Sequence, residues 1–187
     1  MKIIQIGFNK CATRAISHFF KRHGLQTADW MRGDLAKDIR QAVETGGVPL
    51  APWPDVNVFS DMEYVHARDM TEGYRYFRDL HAAYPEALFI LNTRNVEGWI
   101  RSRHKHGEGA YTSAYRRYYG YETDAETFDR WRLEWFRHHL AVLEYFSGPL
   151  RERLFVWDID KPDWAQLQGK LDFQLDTDKW AVRGKTE

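Results

Sequence analysis

Three short apolar runs constrain this chain most. Residues 2–7, 87–93 and 154–159 are each too short for a buried helix, and Ala87-Leu88-Phe89-Ile90-Leu91 is continuous rather than alternating. A continuous run bounded by turn residues reads as a strand covered on both faces, the signature of a parallel sheet. Between the runs lie segments with helical spacing. Thr13 to about His23 carries Ile16, Phe19 and Phe20 on one face and stops at Gly24. Residues 32–45 form a polar helix ending at Gly46-Gly47, residues 70–83 another before Pro85, and a further helix begins near Val96. A long helix over 125–146 repeats Phe128, Trp131, Trp135, His139, Val142 and Phe146 at threes and fours. Residues 164–171 give a short last helix, and Val56–Ser60 a short strand after a loop with Pro49, Pro52 and Pro54. Residues 107–123, rich in Gly and Tyr, read as a loop or lid. Strands alternating with helices define an α/β domain of three layers (α/β/α) around a central parallel sheet. Ligands then bind at the edge where the strands end.

A length of 187 residues fits one domain spanning 1–187, with 179–187 expected as a disordered tail. With 27 basic residues against 27 acidic, bulk charge does not suit a protein that coats nucleic acid or an anionic membrane. The balance is uneven along the chain. Residues 1–27 hold five Lys/Arg and no acid, and residues 94–117 hold six against two. The single cysteine, Cys11, excludes an internal disulfide. No signal peptide or membrane-spanning run is present, so a cytoplasmic location is expected.

Both basic segments follow strands. Gly7-Phe8-Asn9-Lys10-Cys11-Ala12-Thr13-Arg14 joins the first strand to the first helix, whose N-terminal N–H groups form an anion site. Lys10 adds a charge, Thr13 a hydroxyl and Arg14 a guanidinium fork. The spacing is not that of a Walker A loop, in which Lys directly precedes Ser/Thr. At the end of the 87–93 strand, Arg94 is placed to hold a phosphate. Ser102, eight residues on, adds a hydroxyl from the next helix.

The loop resembles the 5′-phosphosulfate loop of sulfotransferases (P/G-x-x-K-x-G-T-T/S), and Arg94 with Ser102 resembles the family's 3′-phosphate pair. A third stretch, His139 to Asp160, is similar to bacterial and carbohydrate-type members. The resemblance runs from residue 1 to about 172 and implies a P-loop-like sulfotransferase fold. It also implies 3′-phosphoadenosine 5′-phosphosulfate (PAPS) as donor, with the 3′,5′-bisphosphate (PAP) as product. The acceptor would be a small molecule or carbohydrate offering a hydroxyl or amine, and no metal is implied. Cofactor contacts would come from Gly7, Asn9, Lys10, Cys11, Ala12, Thr13, Arg14, Arg94 and Ser102. Arg183, in Arg183-Gly184-Lys185, looks a little like the family's C-terminal clamp. Lys10 would stabilise the leaving oxygen. The family's base position falls on Val58–Glu63, making Asp61 the first choice and Glu63 the second, although Asp61 also suits a helix cap.

Ala12 stands where the family has Gly, which requires φ < 0 there. Val96 replaces a Pro, and Ala15 the aromatic that stacks on adenine. Trp53 or the tyrosines of 111–121 are the substitutes, and the latter segment equally suits an ordinary amphipathic stretch. His104, His106, His138 and His139 lack the carboxylates or thiolates of a metal site. Two other readings stay open: an ATP-using P-loop kinase, and an inactive nucleotide-binding protein of the same fold.

Overall fold

The structure, a computed structural model, describes residues 1–181. Seven strands and seven α-helices follow in order: β1 (Ile3–Gln5), α1 (Thr13–Arg22), β2 (Thr27–Asp29), α2 (Asp34–Thr45), β3 (Val58–Ser60), β4 (Glu63–His66) and β5 (Asp69–Glu72). Then come α3 (Phe77–Ala83), β6 (Leu88–Thr93), α4 (Val96–His104), α5 (Ala110–Tyr119), α6 (Asp124–Tyr145), β7 (Leu154–Asp158) and α7 (Trp164–Gln168). Five strands form one parallel sheet in the order β2-β3-β1-β6-β7, while β4 and β5 form a separate antiparallel hairpin.

Alternate residues of the buried strands feed opposite faces, as the period of a strand requires. Ile4, Ile6, Phe59, Phe89 and Leu91 pack with Leu35 and Ile39 of α2, Phe77 and Leu80 of α3, and Val142 of α6. Ile3, Val58, Leu88, Ile90 and Trp157 face the other way, against Ile16, Phe19 and Phe20 of α1 and Leu167 of α7. A third cluster sits above the strand ends: Phe8 and Cys11 of the first loop with Tyr74, Trp99, Tyr115, Trp131 and Trp135. Much of the aromatic content is spent there. The family of layers expected from the sequence is therefore present, with α6 long because it serves two clusters. Its N-terminus is fixed by a capping box between Thr123 and Glu126.

Several expectations need correction. The helix expected over 70–83 is shorter: Asp69–Glu72 is a strand paired with Glu63–His66, and α3 starts only at Phe77. Gly73 turns the chain so close that an added Cβ would lie 2.8 Å from the Met62 carbonyl. The expected loop at 107–123 contains α5, bounded by Gly109 and Gly120 at φ 86° and 70°. Tyr111 and Tyr115 share its inner face at helical spacing. Strand β2 was not expected at all. Within the tail expected over 179–187, Trp180 packs on Phe19, Trp157 and Trp164, and residues 182–187 lie outside the described residues. Arg183 lies outside the described residues.

Candidate active site

The loop after β1 is defined by where its carbonyls go. Phe8 O and Cys11 O both accept from Asn92 Nδ2, at 2.9 and 2.8 Å. Asn9 O accepts from Trp99 Nε1 at 2.9 Å, and Lys10 O from an Arg94 guanidinium nitrogen at 3.3 Å. Four successive carbonyls are thus drawn to one side by side chains of β6, α4 and the turn between them. Pinning the acceptors inward leaves the donor side of the loop for an anion. Gly7 permits this, since a Cβ there would stand 2.2 Å from Asn92 Oδ1 and 2.4 Å from the Asn92 carbonyl.

The same pinning sets the backbone of the loop. Lys10 and Ala12 adopt φ 60° and 59°. Ala12 is therefore left-handed, contrary to the φ < 0 expected for a residue in place of Gly, at a cost of about 1 kcal/mol. Ala12 caps α1 without a side-chain hydrogen bond. The first N–H groups of a helix have no intrahelical partner, so the positive end of α1 faces the loop's concave side.

Beneath the loop, Asn9 joins a buried network. Its N–H donates to Glu63 Oε1 at 3.3 Å, its Oδ1 accepts from Arg103 Nε at 2.9 Å, and its Nδ2 donates to Tyr111 Oη at 2.7 Å. Arg103, 1% exposed, also donates to both Glu63 oxygens at 3.0 and 2.9 Å and to Tyr115 Oη at 3.1 Å. Tyr111 donates to Glu63 as well. Rings of Trp99, Tyr111, Tyr115 and Trp131 surround the guanidinium. From Tyr115 the chain of contacts continues to Glu72, Arg75 and Glu134. Hairpin, α4, α5 and α6 are thereby tied to one loop residue.

Asp61 follows β3 at φ 53° and is half-buried. Burial first, then repulsion from Glu63 and Asp29, raises its carboxyl to about 7, against the pull of Arg14 and Lys10. Burial and the neighbouring Arg14 lower the Lys10 ammonium below its usual value, with Asp61 opposing. His106 is lowered by burial and then by Lys10, Arg14 and Arg103, so it belongs to the same group of charges.

The structure brings Gly7, Asn9, Lys10, Ala12, Thr13 and Arg14 together with Arg94 and Asp61 at the carboxyl edge of the sheet. Arg94 Nε is buried without a partner. Ser102 is half-buried on α4. Cys11 contributes backbone only: its thiol is fully buried in the third cluster, and burial pushes its pKa far up. Glu63 is held by Arg103, Tyr111 and Asn9, which leaves Asp61 as the less committed carboxylate. Trp53 is at the wrong edge. It lies in the segment entering β3, where Lys2 donates to Pro54 O and Val56 O. Tyr111 and Tyr115 are occupied around Arg103. His138 donates to Ile6 O at 2.6 Å and is pushed down to about 3 by burial, while His139 bridges Trp135 O and Thr93 Oγ1. Among the described residues no three His, Cys, Asp or Glu side chains are grouped to hold a metal. No described helix is long and apolar enough to cross a membrane.

Sequence reasoning missed Asn92, Trp99 and Arg103, and it weighed Tyr111 for adenine stacking and His106 for a metal rather than for the places they take here. Only Asn92 left a signal, as a polar residue inside an apolar strand. Trp30 was also missed. It is 48% exposed just beyond β2, and its N–H donates to Ser60 O at 3.1 Å, next to Asp61. Trp30, Met31 and Arg32 have φ of 56°, 48° and 56°, three successive strained positions.

The parallel sheet thus ends in a glycine-led loop, a cationic cluster and a carboxylate after the neighbouring strand, the α/β arrangement of a sulfotransferase fold. The family model for the sulfotransferase domain matches residues 2–144, and the chain belongs to that family. No curated protein sequence matches it.

Proposed function

We propose that this sulfotransferase-family chain moves a sulfuryl group from PAPS to a hydroxyl of a small-molecule or carbohydrate acceptor. The observation carrying this reading is the loop itself: four carbonyls tied back, an uncapped α1 above them, and Lys10, Arg14 and Arg94 around the open side. An orphaned buried donor, Arg94 Nε, fits a ligand with a second phosphate. PAPS, when bound, supplies the sulfuryl group and a phosphate leaving group.

Thr13, Arg14 and the α1 N–H groups hold the 5′-phosphosulfate end; Arg94 and Ser102 hold the 3′-phosphate. Lys10 neutralises the negative charge that grows on the bridging oxygen as the sulfur–oxygen bond breaks. Asp61 takes the proton from the acceptor hydroxyl as its oxygen bonds to sulfur, a role suited to a carboxyl titrating near 7. Glu63 and Arg103 position the loop through Asn9. The sheet order sets the direction of approach. Arg94 follows β6, Lys10 follows β1, Asp61 follows β3 and Trp30 follows β2, so the acceptor enters on the β3–β2 side beside Trp30.

Thermal unfolding with PAP and with Mg-ATP separates this from the kinase reading. A ligand at 100 times its Kd adds about 2.7 kcal/mol, and each kcal/mol moves Tm by about 2–4 °C at this size. A rise with PAP alone is expected, and Lys10→Ala should keep most of that rise while losing turnover from PAPS. A rise with Mg-ATP alone would assign the loop to ATP.

A further inference from the structure

Helix α5 turns two faces toward the β4–β5 hairpin, and only one of them is closed. Tyr111 and Tyr115 point inward, where their hydroxyls donate to Glu63 and Glu72. Ala110, Ser113, Ala114 and Arg117 follow at spacings of three, one and three, so they share the neighbouring face. Between that face and Val65, His66 and Ala67 of the hairpin lies a cavity of about 390 Å³. Small-molecule sites hold roughly 300–1,000 Å³. The alanines make the room. Side chains of one carbon at 67, 110 and 114 leave a gap, while the two tyrosines draw the same elements together over Arg103.

Three donors edge this cavity. His66 Nδ1 accepts the Arg68 N–H at 3.3 Å, which puts the ring proton on Nε2. Ser113 Oγ and the Arg117 guanidinium make no hydrogen bond or ion pair among the described residues. Two acids of the adjoining segments are already taken, Asp69 by Arg40 at 2.8 Å and Asp124 by Arg116 at 3.2 Å. Among the described residues no acid lines the cavity. We propose that it binds a small organic carboxylate. A carboxylate offers about four lone-pair sites on two oxygens. The Arg117 fork takes two side by side, and His66 Nε2 and Ser113 Oγ take one each. Val65, Ala67, Ala110 and Ala114 supply apolar walls. An inorganic ion covers none of that surface, so an acid with a hydrocarbon body fits better. Neither residues 7–14 nor Arg94 and Asp61 line the cavity, so its occupant is distinct from the sulfuryl donor. Its walls are nevertheless the two elements that hold Asn9, through Glu63 of β4 and Tyr111 of α5.

Titration of the isotope-labelled full chain with benzoate, read by backbone amide NMR shifts, tests this. Saturating shifts are expected at residues 65–67 and 110–117, and they should persist when PAP is in excess. Benzamide, the same ring without the charge, should bind at least tenfold more weakly. Arg117→Ala, at an exposed position, should weaken benzoate at least tenfold and leave circular dichroism unchanged. Ala114→Leu, which fills the cavity, should do the same. No saturating shift at millimolar benzoate overturns the proposal. So does equal affinity for benzamide, or benzoate binding that survives Arg117→Ala. Shifts confined to residues 7–14 and abolished by PAP would place the carboxylate in the donor loop, and overturn it too.

Discussion

Asp61 carries a cost that its proposed role explains. A carboxyl raised from its ordinary range to about 7 holds its proton in the folded chain at pH values where the unfolded chain has released it. The folded state then binds more protons than the unfolded between about pH 4 and 7, so this group's contribution to stability falls as pH rises through that window. Above it the native state bears a half-buried, poorly solvated charge beside Glu63 and Asp29. Asp61→Asn removes that charge while keeping the shape. At pH 8 it should raise stability, by up to about 4 kcal/mol if the whole shift is recovered, and flatten the fall of Tm between pH 4 and 7. The same variant should lose most of its turnover, and the acid limb of the wild-type rate profile should rise through about pH 7. A variant less stable than wild type at pH 8 would show that the carboxylate is held by favourable contacts instead. That Asp61 was legible at all came from its place after a strand in a family pattern. Its elevated carboxyl was not, because burial by the folded chain is the largest cause, and Asp29, 32 residues away in sequence, comes near only when β2 and β3 pair.

At the scale of elements, sequence periodicity found what is locally encoded. The continuous runs of β6 and β7, the Gly-stopped α1 and the capped α6 each carry their own signal. It missed β2, three residues long with the polar ends Thr27 and Asp29, and the β4–β5 hairpin, which carries the buried polar groups Glu63 and Thr71 and the half-buried Glu72 rather than alternating apolar ones. Glu63 and Glu72 can be covered because Arg103 and the tyrosines of α5 meet them, a partnership separated by up to 48 residues. The hairpin and α5 therefore stand or fall with one guanidinium. Arg103→Met leaves Glu63 buried and unpaired, and breaking such a pair costs about 3–5 kcal/mol. Adding Glu63→Leu should recover much of that stability in chemical denaturation. It should not recover turnover, because Asn9 keeps neither its Arg103 donor nor its Glu63 acceptor and the loop is no longer held. Full activity in the doubly substituted chain would reduce the network to packing.

For the whole molecule, the order of strands matters more than any single motif. A net charge of zero conceals two basic segments, residues 1–27 and 94–117, and the pairing of β1 with β6 brings their strand ends side by side. The pairing of β1 with β3 and of β3 with β2 puts the acids Asp61 and Asp29 on the other flank. The carboxyl edge is thus polar in direction, with cations at Arg94 and Lys10 grading into carboxylates and an exposed Trp30. Under the proposed function, donor and acceptor take opposite flanks of this gradient, and substitutions at its two ends should separate in kinetics. Arg94→Ala removes a cation on the donor flank, so KM for PAPS and Kd for PAP should rise at least tenfold with the acceptor KM little changed. Trp30→Ala lies two strands away from the loop in the sheet order, so it should raise the acceptor KM while PAP still gives its full thermal shift. Steady-state rates with each substrate varied in turn, alongside PAP titration, measure both. If Trp30→Ala weakened PAP as much as Arg94→Ala does, the two flanks would share one ligand, and the direction inferred from the strand order would be wrong.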